Sequence, residues 1–143
     1  VGGFAGEPKA QAAFLVRNLI GVDPINGAVA VADLVRVGQN IQFQLREADA
    51  SRHEAQQLLQ SALQRSTSPP VFGLLMACLG RGKSLYGVSN GDVEIAREFF
   101  EELPISGFFC NGEIGPLGGA THIHGYTACW GLLRYFPMVQ NSQ

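Results

Sequence analysis

One run of the chain leaves little freedom in how it folds: VFGLLMACL, residues 71 to 79. It is short and continuously apolar. Thr67-Ser68-Pro69-Pro70 breaks the chain before it, and Gly80-Arg81-Gly82 follows it. An apolar run bounded in this way reads as a central strand buried on both faces. The rest of the chain must then supply neighbouring strands and a covering layer.

The segments around it have recognisable periods. A first helix is expected from Pro8, because proline suits a first helical turn. Ala12, Leu15, Val16, Leu19 and Ile20 make its apolar face, and Gly21 ends it. Residues 27 to 33 (GAVAVAD) read as a strand of small side chains. In residues 34 to 47, Ile41, Phe43 and Leu45 alternate with Gln42, Gln44 and Arg46, which predicts a strand covering a core on one face. Ser51 and Glu54 fit a capping box. Ala55, Leu58, Leu59, Ala62 and Leu63 then line one face of a second helix that ends near Ser66. A loop over 80 to 91 leads to a third helix from Asp92 to Leu103, with Ile95, Ala96, Phe99, Phe100 and Leu103 facing inward and Pro104 stopping it. Two strands follow, 105 to 113 and 120 to 134. The link GPLGG is too short for a crossover helix, so they are expected to be antiparallel neighbours.

The order is α-β-β-α-β-α-β-β, without regular βαβ alternation. It predicts an α+β fold: a mixed, largely antiparallel sheet with helices packed on it. At 143 residues the chain is long enough for one cored domain and short for two. The ends, 1 to 6 and 138 to 143, are expected to be flexible. Charged residues make up only 15%. So sparse a charge suggests that part of the surface is covered by another domain or a partner.

Composition also excludes some functions. The net charge is −2 and the basic residues are scattered, which is no footprint for nucleic acid. No apolar run approaches the length of a membrane span, and no signal peptide is visible. The start at Val1 reads as a cut boundary. Cys78, Cys110 and Cys129 form no CxxC pair, which fits free thiols in a cytoplasmic protein.

ACLGRGKS, residues 77 to 84, satisfies a relaxed phosphate-loop pattern after a strand. That chemistry requires a helix starting at the Lys-Ser pair. Gly87 and Ser89-Asn90-Gly91 follow too closely for one, so no nucleotide chemistry is expected. Arg81 and Lys83 are then either solvated loop charges or an anion contact.

The segment GFFCNGEIGPLGGATHIHGYTA, residues 107 to 128, carries the other candidates. His122 and His124 are two apart on a strand and leave the same face. They are either two metal ligands, with Cys110 or Glu113 as a third, or one backbone-bonded histidine and one exposed one. Cys110, a histidine and Glu113 form either a thiolate-imidazole-carboxylate set or a buried small residue among structural neighbours. Cys78, Cys129 and Trp130 read as packing residues, and Tyr126 either lines a pocket or caps the sheet. Gly107, Gly112, Gly115, Gly118, Gly119 and Gly125 allow close backbone approach and tight turns.

Taken together, these motifs resemble the C-terminal domain of FIST (F-box and intracellular signal transduction) sensory proteins. The resemblance is carried by Cys78, Gly80, Arg81, Gly82, Leu85, Tyr86 and Gly87; by Gly107, Phe108, Gly112, Glu113 and Ile114; and by His124, Gly125 and Thr127. It extends from about Phe14 to Leu132. It implies a ligand-binding sensory module of bacterial signalling proteins and some eukaryotic F-box proteins. Small molecules such as amino acids are the implied ligands, and an N-terminal FIST domain or a signalling partner the implied neighbour. Some members bind haem, but no haem ligand maps onto this sequence.

The expected reading is a non-enzymatic sensor without a resident metal. Its ligand site comprises Arg81, Cys110, Glu113, His124 and Thr127. Arg81 meets a ligand carboxylate, Glu113 an amine, and His124 and Thr127 add hydrogen bonds. In the competing structural reading, Arg81 and Glu113 pair with each other at one end of the sheet. A hydrolase or transferase using Cys110 is the alternative from another class, and a purely structural interaction module is a third.

Overall fold

A computed structural model describes residues 2–3 and 14–135. In chain order the elements are β1 (Gly2–Gly3), β2 (Leu19–Asp23), β3 (Ala28–Val31), β4 (Gln42–Phe43), α1 (Ala48–Gln64), β5 (Pro70–Cys78), α2 (Lys83–Tyr86), α3 (Gly91–Arg97), β6 (Ile105–Cys110), β7 (Glu113–Leu117), β8 (Ala120–His124) and β9 (Ala128–Arg134). The class is α+β, as the sequence predicts.

β5 is the central strand of a three-stranded mixed sheet, β6-β5-β9. It pairs parallel with β6, Cys78 opposite Cys110, and antiparallel with β9, Leu75 opposite Trp130. Parallel pairing of β5 and β6 requires a crossover, and α2 and α3 provide it. Helix α3 begins beside Asp92 and carries Ile95, Ala96 and, just beyond it, Phe100 into the core. These pack on Ala55 and Leu59 of α1, with Leu103, Ile105, Trp130 and Leu132 around them.

This core lies on one face of the sheet. On β5, Gly73, Leu75 and Ala77 are buried, while Phe72, Leu74 and Met76 on the opposite face are half-buried. The expectation that β5 is covered on both faces therefore fails: among the described residues, helices cover only one.

Other expectations also need correcting. Pro8 and Ala12 lie outside the described residues. Leu15 and Val16 are not helical, and Leu19 and Ile20 belong to strand β2, which pairs with β3. The turn explains why. Asp23 Oδ1 accepts from the backbone N–H of Ile25 and of Asn26, and Oδ2 from the Asn26 side chain, closing a hairpin. The strand expected over 34 to 47 shrinks to Gln42–Phe43, paired with Gly2–Gly3, and Ile41, Phe43 and Leu45 are exposed. Their alternation needs a covering layer, and the described residues contain none there. The capping box is not used: α1 starts three residues earlier, at Ala48, with Glu47 as a cap that makes no side-chain bond. Leu58 and Leu63 stay exposed, so the buried stripe of α1 is narrower than its period suggests.

The glycine-rich segment divides further than expected. β7 and β8 form an antiparallel hairpin across Gly118-Gly119. β6 and β9, expected to neighbour each other, instead flank β5 on opposite sides. β5 offered both edges, and each strand took one.

Candidate functional site

The C-terminal end of β5 delivers Arg81 into a closed polar network. Its side chain is only 7% exposed and that of Asp92 only 5%. Nε donates to both Asp92 oxygens at 3.2 and 3.1 Å, and Nη2 to Oδ1 at 2.6 Å. Nη2 also donates to the Tyr86 hydroxyl at 2.6 Å, and Nη1 to the carbonyl of Tyr126 at 3.1 Å. The Tyr86 hydroxyl in turn donates to Asp92 Oδ1 at 2.9 Å. Burial works against the Arg81 charge, but the Asp92 bond and charge outweigh it and raise its pKa. Burial, more than any other influence, pushes the Tyr86 phenol up to about 12. Every arm of the guanidinium has a protein acceptor. Arg81 thus pairs with Asp92, and the expected Arg81–Glu113 pair is replaced.

The flanking glycines make this possible. A Cβ on Gly80 would lie 2.5 Å from the Tyr126 ring. Gly82 has φ +64° and sits under the Phe109 ring. Gly80-Arg81-Gly82 is therefore a sharp turn whose two glycines pack against the Tyr126 and Phe109 rings. Helix α2 starts at Lys83, so the sequence expectation of no helix there is corrected. It has one turn and stops at Gly87, whose left-handed φ ends it.

Glu113, the first residue of β7, is 5% exposed. The Cys110 thiol donates to its Oε1 at 3.1 Å, and the Thr127 hydroxyl donates to Oε2. Cys110, Glu113 and Thr127 thus come together as the sequence grouped them. Their partners are one another. The Glu113 bond, then burial, push the Cys110 thiol up to about 11. That is opposite to the shift that activates a nucleophilic thiol. Burial, then the Glu113 charge, also raise the Cys129 thiol.

His124 is the cross-strand neighbour of Glu113 in the β7–β8 hairpin, but its side chain bonds a different partner. Its Nε2 is 3.1 Å from the Gly115 carbonyl across the β7–β8 hairpin. The His122 and His124 rings meet edge to face, 6.4 Å apart. Among the described residues no group of three His, Cys, Asp or Glu is placed to hold a metal ion.

His124 lines a cleft of about 330 Å³ with Arg17, Asn18, Asp33, Gly125 and Tyr126. Arg17 Nε donates to Asp33 Oδ2 at 2.6 Å, and Nη1 to the carbonyls of Val16 and Ile123 at 3.0 Å each. The Arg17 bond holds the Asp33 carboxyl below its usual range. Tyr126 donates its hydroxyl to Asn18 Oδ1 at 2.6 Å and has φ +63°, an unusual conformation for a bulky residue. A second, smaller cleft of about 190 Å³ runs between β6 and the start of α3; its one carboxylate, Asp92, is already taken by Arg81.

The chain matches the FIST C domain over residues 3–116, most of its length. It belongs to the FIST C domain family. That family is one of sensory domains in signal transduction. An uncharacterised protein of Mycobacterium tuberculosis is 39% identical over 122 residues, 85% of this chain and 32% of that protein. An F-box/LRR-repeat protein of Arabidopsis thaliana is 29% identical over 119 residues, 79% of this chain and 22% of that protein. Human F-box only protein 22 is 44% identical over 45 residues, 31% of this chain and 11% of that protein. The chain thus spans about a third of the length of its mycobacterial relatives.

In this FIST C domain the positions that carry the resemblance fall into two groups. Arg81, Gly80, Gly82 and Tyr86 build the closed network, and Glu113 and Thr127 a second one beside it. His124 and Gly125 line the open cleft. Sequence reasoning missed Asp92, although an acid directly after Gly91 at a helix start was a visible signal. It also missed Arg17, Asn18 and Asp33, which meet the cleft only through contacts such as Arg17 with Ile123, 106 residues apart.

Proposed function

We propose that this domain is the small-ligand-binding sensory module of a longer signalling protein, and that the ligand enters the Arg17–His124 cleft. The observation that carries this reading is the position of Tyr126. Its hydroxyl bonds Asn18 in the cleft, while its carbonyl accepts from Arg81 in the closed network. A residue with left-handed φ, held from both sides, joins a surface cleft to the most buried ion pair among the described residues. A ligand that changes the Asn18–Tyr126 bond therefore bears on the Arg81 turn and the start of α3. The cleft's size suits a small molecule, since ligand pockets begin at roughly 300 Å³. Many large apolar side chains are exposed, among them Ile25, Leu34, Val37 and Leu45. They offer a surface that a neighbouring domain or signalling partner can cover.

The test is a thermal-shift and calorimetry screen of the full-length protein against amino acids, small carboxylates, nucleotides and haem. A specific ligand at a hundredfold excess over its dissociation constant stabilises by about 2.7 kcal/mol. Tyr126→Phe should then weaken the response of the Arg81 region, read by amide exchange, more than it weakens binding. A screen in which no class binds would overturn the proposal.

A further inference from the structure

We infer that β6 is a self-association edge: two copies of this chain join their β6 strands antiparallel, making one sheet that runs through both. The inference is independent of the ligand reading above. It starts from the hydrogen bonds at the two ends of the strand. The Gly73 N–H donates to the Pro104 carbonyl, and the Leu79 N–H to the Cys110 carbonyl, at 2.9 Å each. A strand in a parallel ladder turns alternate residues toward its neighbour. Ser106 and Phe108 therefore bond β5, and Ile105, Gly107 and Phe109 turn both N–H and C=O away from it. Among the described residues those outward groups have no partner.

An open edge is normally guarded by a charge, a proline or a bulge. β9, the other edge strand, has such guards: its register shifts opposite Pro70 and Phe72, and it ends on Arg134. β6 has none. Its register is unbroken from Ile105 to Cys110, its sequence ISGFFC holds no charge and no proline, and Ser106 to Phe109 are all exposed. Phe108 and Phe109 are 60% and 57% exposed and stand on opposite faces. Phe109 shares the helix side with buried Ala77, and Phe108 shares the bare side with Met76. The cleft beside α3 follows this edge, with every residue from Ile105 to Phe109 along it. At about 190 Å³ it is smaller than the roughly 300 Å³ at which pockets for free small molecules begin, and it suits a side chain instead.

The partner must be an uncharged extended strand with free backbone groups at every second residue, and β6 itself meets that description. Its outward residues are evenly spaced about Gly107. With a two-fold axis through this residue, Gly107 faces Gly107 of the second copy and Ile105 faces Phe109 of the second copy, so every outward N–H and C=O is paired. Each Phe109 ring then lies at the cleft of the other copy, and Phe108 lies beside Ser106 of the second copy on the bare side. The axis is clear of side chains, because a Cβ at residue 107 would run into the Leu75 carbonyl. The guarded β9 edges end the joined sheet, so assembly stops at two. An edge of six residues buries less than the roughly 1,200 Å² of a stable complex, so the association is reversible and depends on concentration.

The experiment is sedimentation equilibrium with residue-resolved amide exchange on the full-length protein, from micromolar to millimolar concentration. The mass should rise toward twice that of the monomer. Over the same range the Gly107 and Phe109 N–H groups should exchange at least tenfold more slowly, while the Phe108 N–H, already bonded to β5, should not change. Phe108→Lys sets a charge beside the edge and should abolish both effects. Leu133→Lys, at an exposed position on β9, should leave both intact. A protein that stays monomeric throughout overturns the inference, as does a dimer whose Gly107 and Phe109 amides stay fast. A dimer kept in Phe108→Lys, or lost in Leu133→Lys, overturns it too. Gly107 and Phe109 amides that are slow at every dilution of a monomer would show another segment of the same polypeptide on the edge, and would also overturn it. The wild-type amide pattern decides even where a variant does not fold.

Discussion

Arg81 and Arg17 are built from the same parts and reach opposite ends. Each guanidinium meets one aspartate at 2.6 Å and takes a main-chain carbonyl from the β8–β9 region. Arg81 is sealed: its side chain is 7% exposed, and each of its three nitrogens donates to a protein acceptor. Arg17 lines a cleft, and among the described residues its Nη2 has no acceptor. The comparison teaches that a motif's charged residue need not be its binding residue. A buried, fully paired arginine organises the turn, and a partly paired one is available for recognition.

The largest expected effect would break this comparison if absent. Arg81→Ala leaves the Asp92 carboxylate buried without its cation, which typically costs about 3–5 kcal/mol. Arg17→Ala exposes a carboxylate that is already one-third accessible, so its stability cost should stay near 1 kcal/mol. Urea unfolding of both variants, alongside wild type, gives the two numbers. Equal losses would mean that Arg17 is as structural as Arg81.

Cys110 supplies a sharper test of how closed the sealed region is. Its thiol is bonded to Glu113 and pushed up to about 11 from an ordinary 9.0. At pH 8 the thiolate fraction is then about a hundredfold lower than for a free cysteine, and alkylation should slow accordingly. Glu113→Gln removes the opposing charge and should speed it. The folded pKa lies above the unfolded one, so the protonated thiol's contribution to stability is complete below pH 9. It is lost as pH rises toward 11. Cys110→Ser should flatten that alkaline decline relative to wild type. Fast alkylation of Cys110 in the folded protein at neutral pH would show that the Glu113 cluster is open.

The two regions also differ in how far the sequence revealed them. The sealed one was largely legible. A short apolar strand, an apolar helical stripe at Ile95, Ala96 and Phe100, and glycines around Arg81 are local signals; each marked a real element, though helices cover the strand on one face and not on both. What stayed hidden was the partner: Asp92 sits eleven residues away, and spacing alone could not choose between it and Glu113. The open cleft was nearly illegible. Leu15, Val16, Leu19 and Ile20 suit either a helix or a strand, and the Asp23-Pro24-Ile25-Asn26-Gly27 turn decides for a hairpin. Arg17, Asn18 and Asp33 then meet His124 and Tyr126 only after the whole chain has closed.

A moderate effect is expected at Gly82. Its φ of +64° with ψ −143° lies in a region that glycine alone readily adopts, which costs an ordinary residue about 1–3 kcal/mol. A new Cβ would also meet the edge of the Phe109 ring at 2.8 Å, but that ring is largely exposed and can move aside. Gly82→Ala should therefore lower stability by about the backbone cost alone, measured by urea unfolding, and Gly82→Ala combined with Phe109→Ala should be no better. Recovery in the double variant would make the ring, not the backbone, the reason for glycine at this turn.

The smallest effect expected is none. Lys83 follows the strand, loop and glycine that a phosphate loop would have, and it begins α2. Two physical facts separate it from that role. The helix ends after one turn, at Gly87, so few aligned peptide dipoles stand behind a bound phosphate. The arginine beside it, which would otherwise add charge, is locked to Asp92 on three bonds. Lys83 itself is exposed and makes no ion pair among the described residues. Lys83→Ala should leave the melting temperature within experimental error, and the wild type should release no phosphate from ATP. ATP hydrolysis that vanishes in Lys83→Ala would reverse the assignment of the two regions, placing the domain's chemistry at the end of β5 and leaving the Arg17 cleft as packing.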